Sequence, residues 1–323
     1  MGRNLMQAIK RLTLLVCALA LFAVPATANA TITSKTIDYG PYTIPAGSGD
    51  PHDHENAGMI TNKIVTNIAK PCTGCSIIGV TPDLVYENGS KATVSEGPML
   101  HHAMFAAQSS GKSDVTCAGK GPGLLGERFF ASGDERTKVD LQALPYGYKV
   151  NSSETWNMVF DLMNWQTTSK TVKIRMTWKY ATGSDHTSRA PLRPVWMDAN
   201  QCSLNSYIEV PIGLSDTHYD WNATFGGKLI AAAGHIHDHG VNIELTNKSA
   251  GESLLCNSVA GYGGAGYETP DGRKHVSSMN VCTGNPIATI TKGQTIRLHG
   301  IYNVPEGHHL IDDAMAIAIM YIG

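Results

Sequence analysis

Residues 234–240 read GHIHDHG and place three of the chain's 13 histidines at every second position. Residues two apart on a β-strand point to one face about 6.6 Å apart, so an extended stretch would show His235, His237 and His239 as a row of imidazoles. A neutral imidazole keeps a ring lone pair free and is the commonest side-chain ligand for zinc, copper and nickel. Two rings at this spacing can share one ion. Three span too far, which leaves His239 beside the site or at the surface. A second group, MLHHAMF, holds His101 and His102 side by side. On a regular strand such neighbours diverge to opposite faces, so joint ligation needs a bulge or a strand end. Taken alone, the pair reads as one core-facing and one solvated ring. His52 and His54, in the Pro/Gly/Asp-rich stretch PHDHE, read as a solvated turn. His308 and His309 precede Met315, which by composition alone is a core methionine of the apolar run AMAIAIMYI.

The elements that must carry these residues are short and β-rich. Runs such as SIIGVTPDLVY, TWNMVFDLM, KTVKIRMTWKY and QTIRLHGIYNV alternate or stay apolar over strand lengths, with turn residues between them. ENGS at 87–90 carries an Asn-Gly of the hairpin type. No long apolar stripe of period 3.6 appears, and 33 glycines punctuate the chain. The pattern predicts an all-β protein of antiparallel sandwiches. The aperiodic stretch ATGSDHTSRAPLRPVW at 181–196 marks the boundary between two β domains, residues 31–185 and 186–323.

Residues 1–30 read as a secretory signal peptide: Arg3, Lys10 and Arg11, then LTLLVCALALFAVPA, then TANA with Ala28 and Ala30 as a small-x-small cleavage site. No later segment is apolar enough for long enough to span a bilayer, so a secreted protein is expected. Beyond Cys17 six cysteines remain, an even number that reads as three disulfides whose pairing spacing alone does not decide. The Cys72/Cys75 CTGC has no second CxxC to complete a zinc site and is counted among the disulfides. Asn88, Asn151, Asn222 and Asn247 head glycosylation sequons, which would make a eukaryotic form a glycoprotein. The net charge of −2 and a 16% charged fraction, without a basic stripe, argue against nucleic acid or anionic membrane as partners. Oligomeric state is not legible.

MLHHAMF following CTGCSIIGVTPDLVYENGS, then GHIHDHG, then DDAMAIAIMY resembles the copper type II ascorbate-dependent monooxygenases, the peptidylglycine α-hydroxylating and dopamine β-monooxygenase family, and most of all their little-characterised secreted fungal and bacterial relatives. The resemblance runs in order over roughly residues 65–323 and implies two consecutive jelly-roll-like β-sandwich domains, each with one copper facing a solvent cleft. It assigns His101 and His102 to an electron-transfer copper in the first domain. His235, His237 and the thioether of Met315 fall to an oxygen-binding copper in the second. A soft sulfur with two imidazoles favours Cu(I), the form that meets O2, while an all-nitrogen site can cycle between oxidation states. Two departures stand out. The family's third first-domain histidine is missing from ETWNMVFDLMNWQTT, and alignment puts Met163 in its place, a softer ligand. The arginine that pairs a peptide carboxylate two residues before the His-x-His is Ala233 here, which argues against a peptide C-terminal glycine as substrate.

The function expected is therefore a secreted copper monooxygenase that hydroxylates a C–H bond of a small organic or peptide-like substrate with O2 and a reductant such as ascorbate. Two copper ions are expected, the first-domain one lacking its third histidine. The alternative is a non-catalytic copper-binding or scavenging protein on the same fold. A structural or sugar-binding sandwich ranks behind both, because aromatic residues are only 7% of the chain. Histidine-rich strands accept zinc as readily as copper.

Overall fold

The computed structural model describes residues 30–51, 55–307 and 310–323. The signal peptide (apart from Ala30), His52 and His54, and His308 and His309 lie outside them. Within residues 31–191 the strands are β1 (Thr31–Ile44), β2 (Gly58–Ile68), β3 (Cys75–Tyr86), β4 (Pro98–Gln108), β5 (Glu127–Ser132), β6 (Val139–Asp140), β7 (Tyr146–Val150), β8 (Thr155–Asn164), β9 (Lys170–Thr182) and β10 (Ala190–Pro191). They form one sheet in the order β1-β9-β3-β7-β10, with β6 on β3, and a second in the order β2-β8-β4-β5. Strand β9 shows why: Val172, Ile174, Met176 and Trp178 alternate with less buried neighbours and all enter the core. The Asn-Gly turn closes as the residues require, with the Gly89 N–H donating to the Tyr86 carbonyl at 2.9 Å.

The remaining strands are β11 (Arg193–Asp198), β12 (Ile208–Val210), β13 (Gly213–Asn222), β14 (Gly227–Ile236), β15 (Gly240–Asn247), β16 (Ser253–Tyr262), β17 (Val276–Met279), β18 (Val281–Ile290), β19 (Thr295–Val304), β20 (Ile311–Ala314) and β21 (Ala316–Ile322). They pair as β11-β21-β14-β18, β13-β19-β15-β16-β17 and the ribbon β12-β20. The protein is all-β: among the described residues its strand ladders are antiparallel apart from the two-residue β10–β7 contact, an isolated bridge joins Ile212 and Val304 in parallel, and one short α-helix, Gly183–Ser188, interrupts the strands. Among the described strands none before residue 192 is paired in a sheet with one after it.

What joins the two groups is side-chain packing. In β21 the odd residues Ile317, Ile319 and Tyr321 enter the core built mainly from residues 39–192. The even residues Ala316, Ala318, Met320 and Ile322 enter the other core, built from residues 195–322. The seven-residue apolar run is thus continuous because each face of the strand meets a different core. The sheet β11-β21-β14-β18 is a wall common to both.

Three disulfides, consistent with an oxidising environment, pair Cys72 with Cys75, Cys117 with Cys202, and Cys256 with Cys282. The second crosses between the strand groups. No described helix is long and apolar enough to cross a membrane.

Candidate metal centre

His101 and His102 lie on β4, whose pairing with β8 slips between Leu100 and His102. That one-residue bulge at His101 supplies what an adjacent pair needs: both rings swing to one side, and their Nδ1 atoms come within 3.2 Å. Opposite His102 on β8 is Asp161, whose Oδ1 is 3.4 Å from His102 Nε2. One ligand atom from each of these three residues lies within 4.8 Å of the others. Asp161 accepts the Asn62 N–H at 2.6 Å and the Tyr207 hydroxyl at 3.3 Å. Burial pushes its carboxyl up to about 6 against those two hydrogen bonds. Met163, the thioether aligned with the missing histidine, stands two residues further on the same face of β8, buried, with Met99 and Met59 opposite it on the flanking strands. Asp161 is thus a β8 residue beside the two rings.

His235 is carried by β14, paired with Ile317 of β21, on the face that looks toward the first strand group. It is buried, and its Nδ1 is 3.1 Å from Oε2 of the buried Glu135, in the connection after β5. The other Glu135 oxygen accepts the Gly133 N–H at 2.9 Å. Burial works against a charge on Glu135, but His235 and this N–H hold its carboxyl below the usual range. The extended row of three imidazoles does not form. β14 ends at Ile236 and the chain turns, with the Gly240 N–H donating to the His237 carbonyl at 3.0 Å. A Cβ on Gly240 would lie 2.4 Å from Ile236 Cγ1, so the turn needs glycine. His239 takes a left-handed backbone, φ 68°, and leaves the row. Asp238 points elsewhere, 2.7 Å from Nδ1 of the buried His275.

His237 nevertheless joins the site. Its ring centroid is 5.3 Å from that of His235 and 4.5 Å from that of His101, edge to face. The four imidazoles thus form one continuous cluster across the seam, rather than two groups facing each other over a cleft. Burial pushes His102 well below the ordinary histidine range and His237 down to about 3, so both rings are neutral with lone pairs available. The Tyr302 hydroxyl, on β19 and fully buried, accepts the His237 N–H at 3.1 Å and the Met315 N–H at 3.3 Å, and donates to the Met315 carbonyl. One phenol therefore fixes the backbone of both residues. Met315 is buried between β20 and β21 and lines the same cavity as His102 and His235.

The donor set fits a metal. The Nε2 atoms of His235 and His237 are buried without a hydrogen-bond partner among the described residues. Buried polar nitrogens are rarely left so. A ring whose Nδ1 faces a carboxylate, with Nε2 open, has the arrangement by which proteins orient a metal-binding histidine. Glu135, Asp161 and Tyr302 were not found by sequence reasoning. For Asp161 a signal existed, since an acid in the middle of the apolar stretch MVFDLMN must be partnered if buried.

The family model described as Stress up-regulated Nod 19 matches residues 197–322. The chain is distantly homologous to two fungal proteins. "Probable copper-dependent oxygenase M1" of Phoma sp. is 26% identical over 309 residues, 89% of this chain and 72% of the relative. "Probable copper-dependent oxygenase clz3" of Cochliobolus lunatus is 25% identical over 264 residues, 75% of this chain and 78% of the relative. The crystal structure of the STIV MCP is similar over 90% of this chain and 96% of its own, at TM-score 0.34 and 10% identity, a likeness that carries no argument.

Proposed function

We propose that this protein is a secreted copper-dependent monooxygenase of the ascorbate-dependent type, built as two jelly-roll-like sandwiches that meet at the metal centre. The observation that carries the reading is the pair of buried, unpartnered Nε2 atoms of His235 and His237, with the His237 ring packed against that of His101. Those two rings with Met315 would hold one copper, and His101 and His102 with Asp161 would hold the other. Met163 is the next donor along the same face. An aspartate in place of the family's histidine gives the first site a harder oxygen ligand, which favours the oxidised ion, whereas the thioether at the second favours the reduced one. Copper bound there would supply the one-electron steps of a reaction in which R–H, O2, two electrons from ascorbate and two protons give R–OH and water.

The chain's own residues do the rest. Glu135 holds His235 in one orientation, Tyr302 holds His237 and Met315 at fixed separation, and the apolar walls beside Met315 exclude water. Ala233 leaves no cation where a peptide carboxylate would need one, and a small neutral organic substrate suits the site better than a peptide C-terminal glycine.

Elemental analysis with an oxygen electrode tests the proposal. Wild-type protein should take up two coppers per chain and consume O2 with ascorbate when substrate is supplied. His235→Ala and Asp161→Asn should each bind one copper fewer, or bind it at least about tenfold more weakly, and lose turnover. Two coppers retained by both variants would overturn the ligand assignment. One copper in the wild type and no O2 uptake would leave a copper-binding protein in its place, the reading that the missing third histidine favours.

A further inference from the structure

We infer that the cavity beside His235 and Met315 is a binding site for a neutral hydrocarbon group, an aromatic ring or a short alkyl segment. That this group is the part of the substrate offered for oxidation rests on the oxygenase reading, but the binding itself does not.

The cavity holds about 120 Å³ and opens at the seam between the strand groups. For comparison, an aliphatic-lined cavity of roughly 150 Å³ stays dry and takes up benzene. Its walls are Met104, Ala131, Val159, Trp196 and Ile317, and its floor is formed by His102, His235 and Met315. Ile64 and Leu204 stand at its edge, 48% and 62% exposed although both are large aliphatic side chains.

Apart from the open Nε2 of His235 in the floor, the buried polar side chains of the wall are already engaged. Arg128, the one cation there, is bonded to Asp114 at 2.6 and 3.2 Å, and its guanidinium lies over the Trp196 ring at 4.6 Å. The Ser132 hydroxyl donates to the Gly133 carbonyl, and that of Ser206 to Asp198. Asn62 is exposed at the edge, and its N–H is bonded to Asp161. A carboxylate or ammonium entering the cavity would lose its water and find no opposite charge free to pair with it. A neutral apolar group meets carbon surface over most of the lining, which gains by being covered. Specificity at this site is thus set by rejection of charge, together with a volume close to that of one six-membered ring.

The test uses full-length metal-free protein with three probes of one shape: toluene, benzoate and benzylamine. Ligand-observed NMR titration should show toluene binding, with both charged probes weaker by about tenfold or more. Ala131→Leu, which places three further carbons in the cavity, should abolish toluene binding without lowering copper uptake. Absence of toluene binding to the wild type, or binding of benzoate as tight as that of toluene, would overturn the inference even if Ala131→Leu does not fold. Toluene binding unchanged in a folded Ala131→Leu protein would overturn it as well. If toluene binds as expected yet the copper-loaded protein with ascorbate leaves it unoxidised and consumes no O2, the oxygenase reading fails and the hydrocarbon site stands.

Discussion

Gly133 is a sharp test of the metal centre because it perturbs a ligand without removing it. A Cβ at this position would lie 2.3 Å from His235 Cε1, 2.7 Å from its Nδ1 and 2.6 Å from Glu135 Oε2. Non-bonded carbons settle near 3.5–4.0 Å, so Gly133→Ala drives the ring back by about 1.2 Å or more, or pushes Glu135 off it. Gly133 is not among the residues with a left-handed backbone, so alanine meets no conformational strain of its own. Metal–ligand distances hold to about 0.2 Å, and loss of an orienting carboxylate alone weakens a site by about 10–100-fold. A displacement of this size together with that loss puts the expected effect at the upper end, about 100-fold in copper affinity, or about 2.7 kcal/mol. Competition titration against a chelator of known affinity reads this directly, and the EPR spectrum of the oxidised protein should show one altered copper signal and one unaltered. Wild-type affinity within about twofold in a folded Gly133→Ala protein would refute the placement of His235 at the metal.

Tyr302→Phe removes one hydroxyl from a fully buried site and leaves the His237 N–H and the Met315 carbonyl without it. The protein should lose about 1–3 kcal/mol in urea unfolding and bind copper at the second site more weakly, because two ligands lose their common anchor. Cys117→Ser combined with Cys202→Ser opens a bridge spanning 85 residues across the two strand groups. The chain-entropy relation puts this at about 4–5 kcal/mol, measurable by denaturant unfolding of the double variant. A loss below about 1 kcal/mol would mean that residual structure already restricts the unfolded chain without the bridge.

Much of the site is legible in the sequence because ligand type and spacing are local properties. The His-x-His pattern and the adjacent histidines announce themselves, and the requirement that His101 and His102 converge already implies the bulge now seen in β4. The strands are legible for the same reason, since period-two burial in β9 is written directly in Val172, Ile174, Met176 and Trp178. The rest depends on contacts between distant residues. Glu135 reaches His235 across 100 positions, and Tyr302 lies in GIYNV, where nothing marks its hydroxyl as a link between two ligands. The pairing of Cys117 with Cys202 is likewise a product of the tertiary fold. The expectation of three rings on one strand failed because a spacing of two says nothing about where a strand stops, and Gly240 allows the chain to turn after Ile236.

Strand β21 has a consequence for biogenesis. Met315 and the residues that separate the two cores are made after every other described part of the cluster, so an emerging chain has its histidines long before it has the surface that organises them. Copper met by such an intermediate would find loose rings without their thioether companion. With the ligand set proposed above, productive copper loading would wait until Met315 is made and β21 has packed between the two cores.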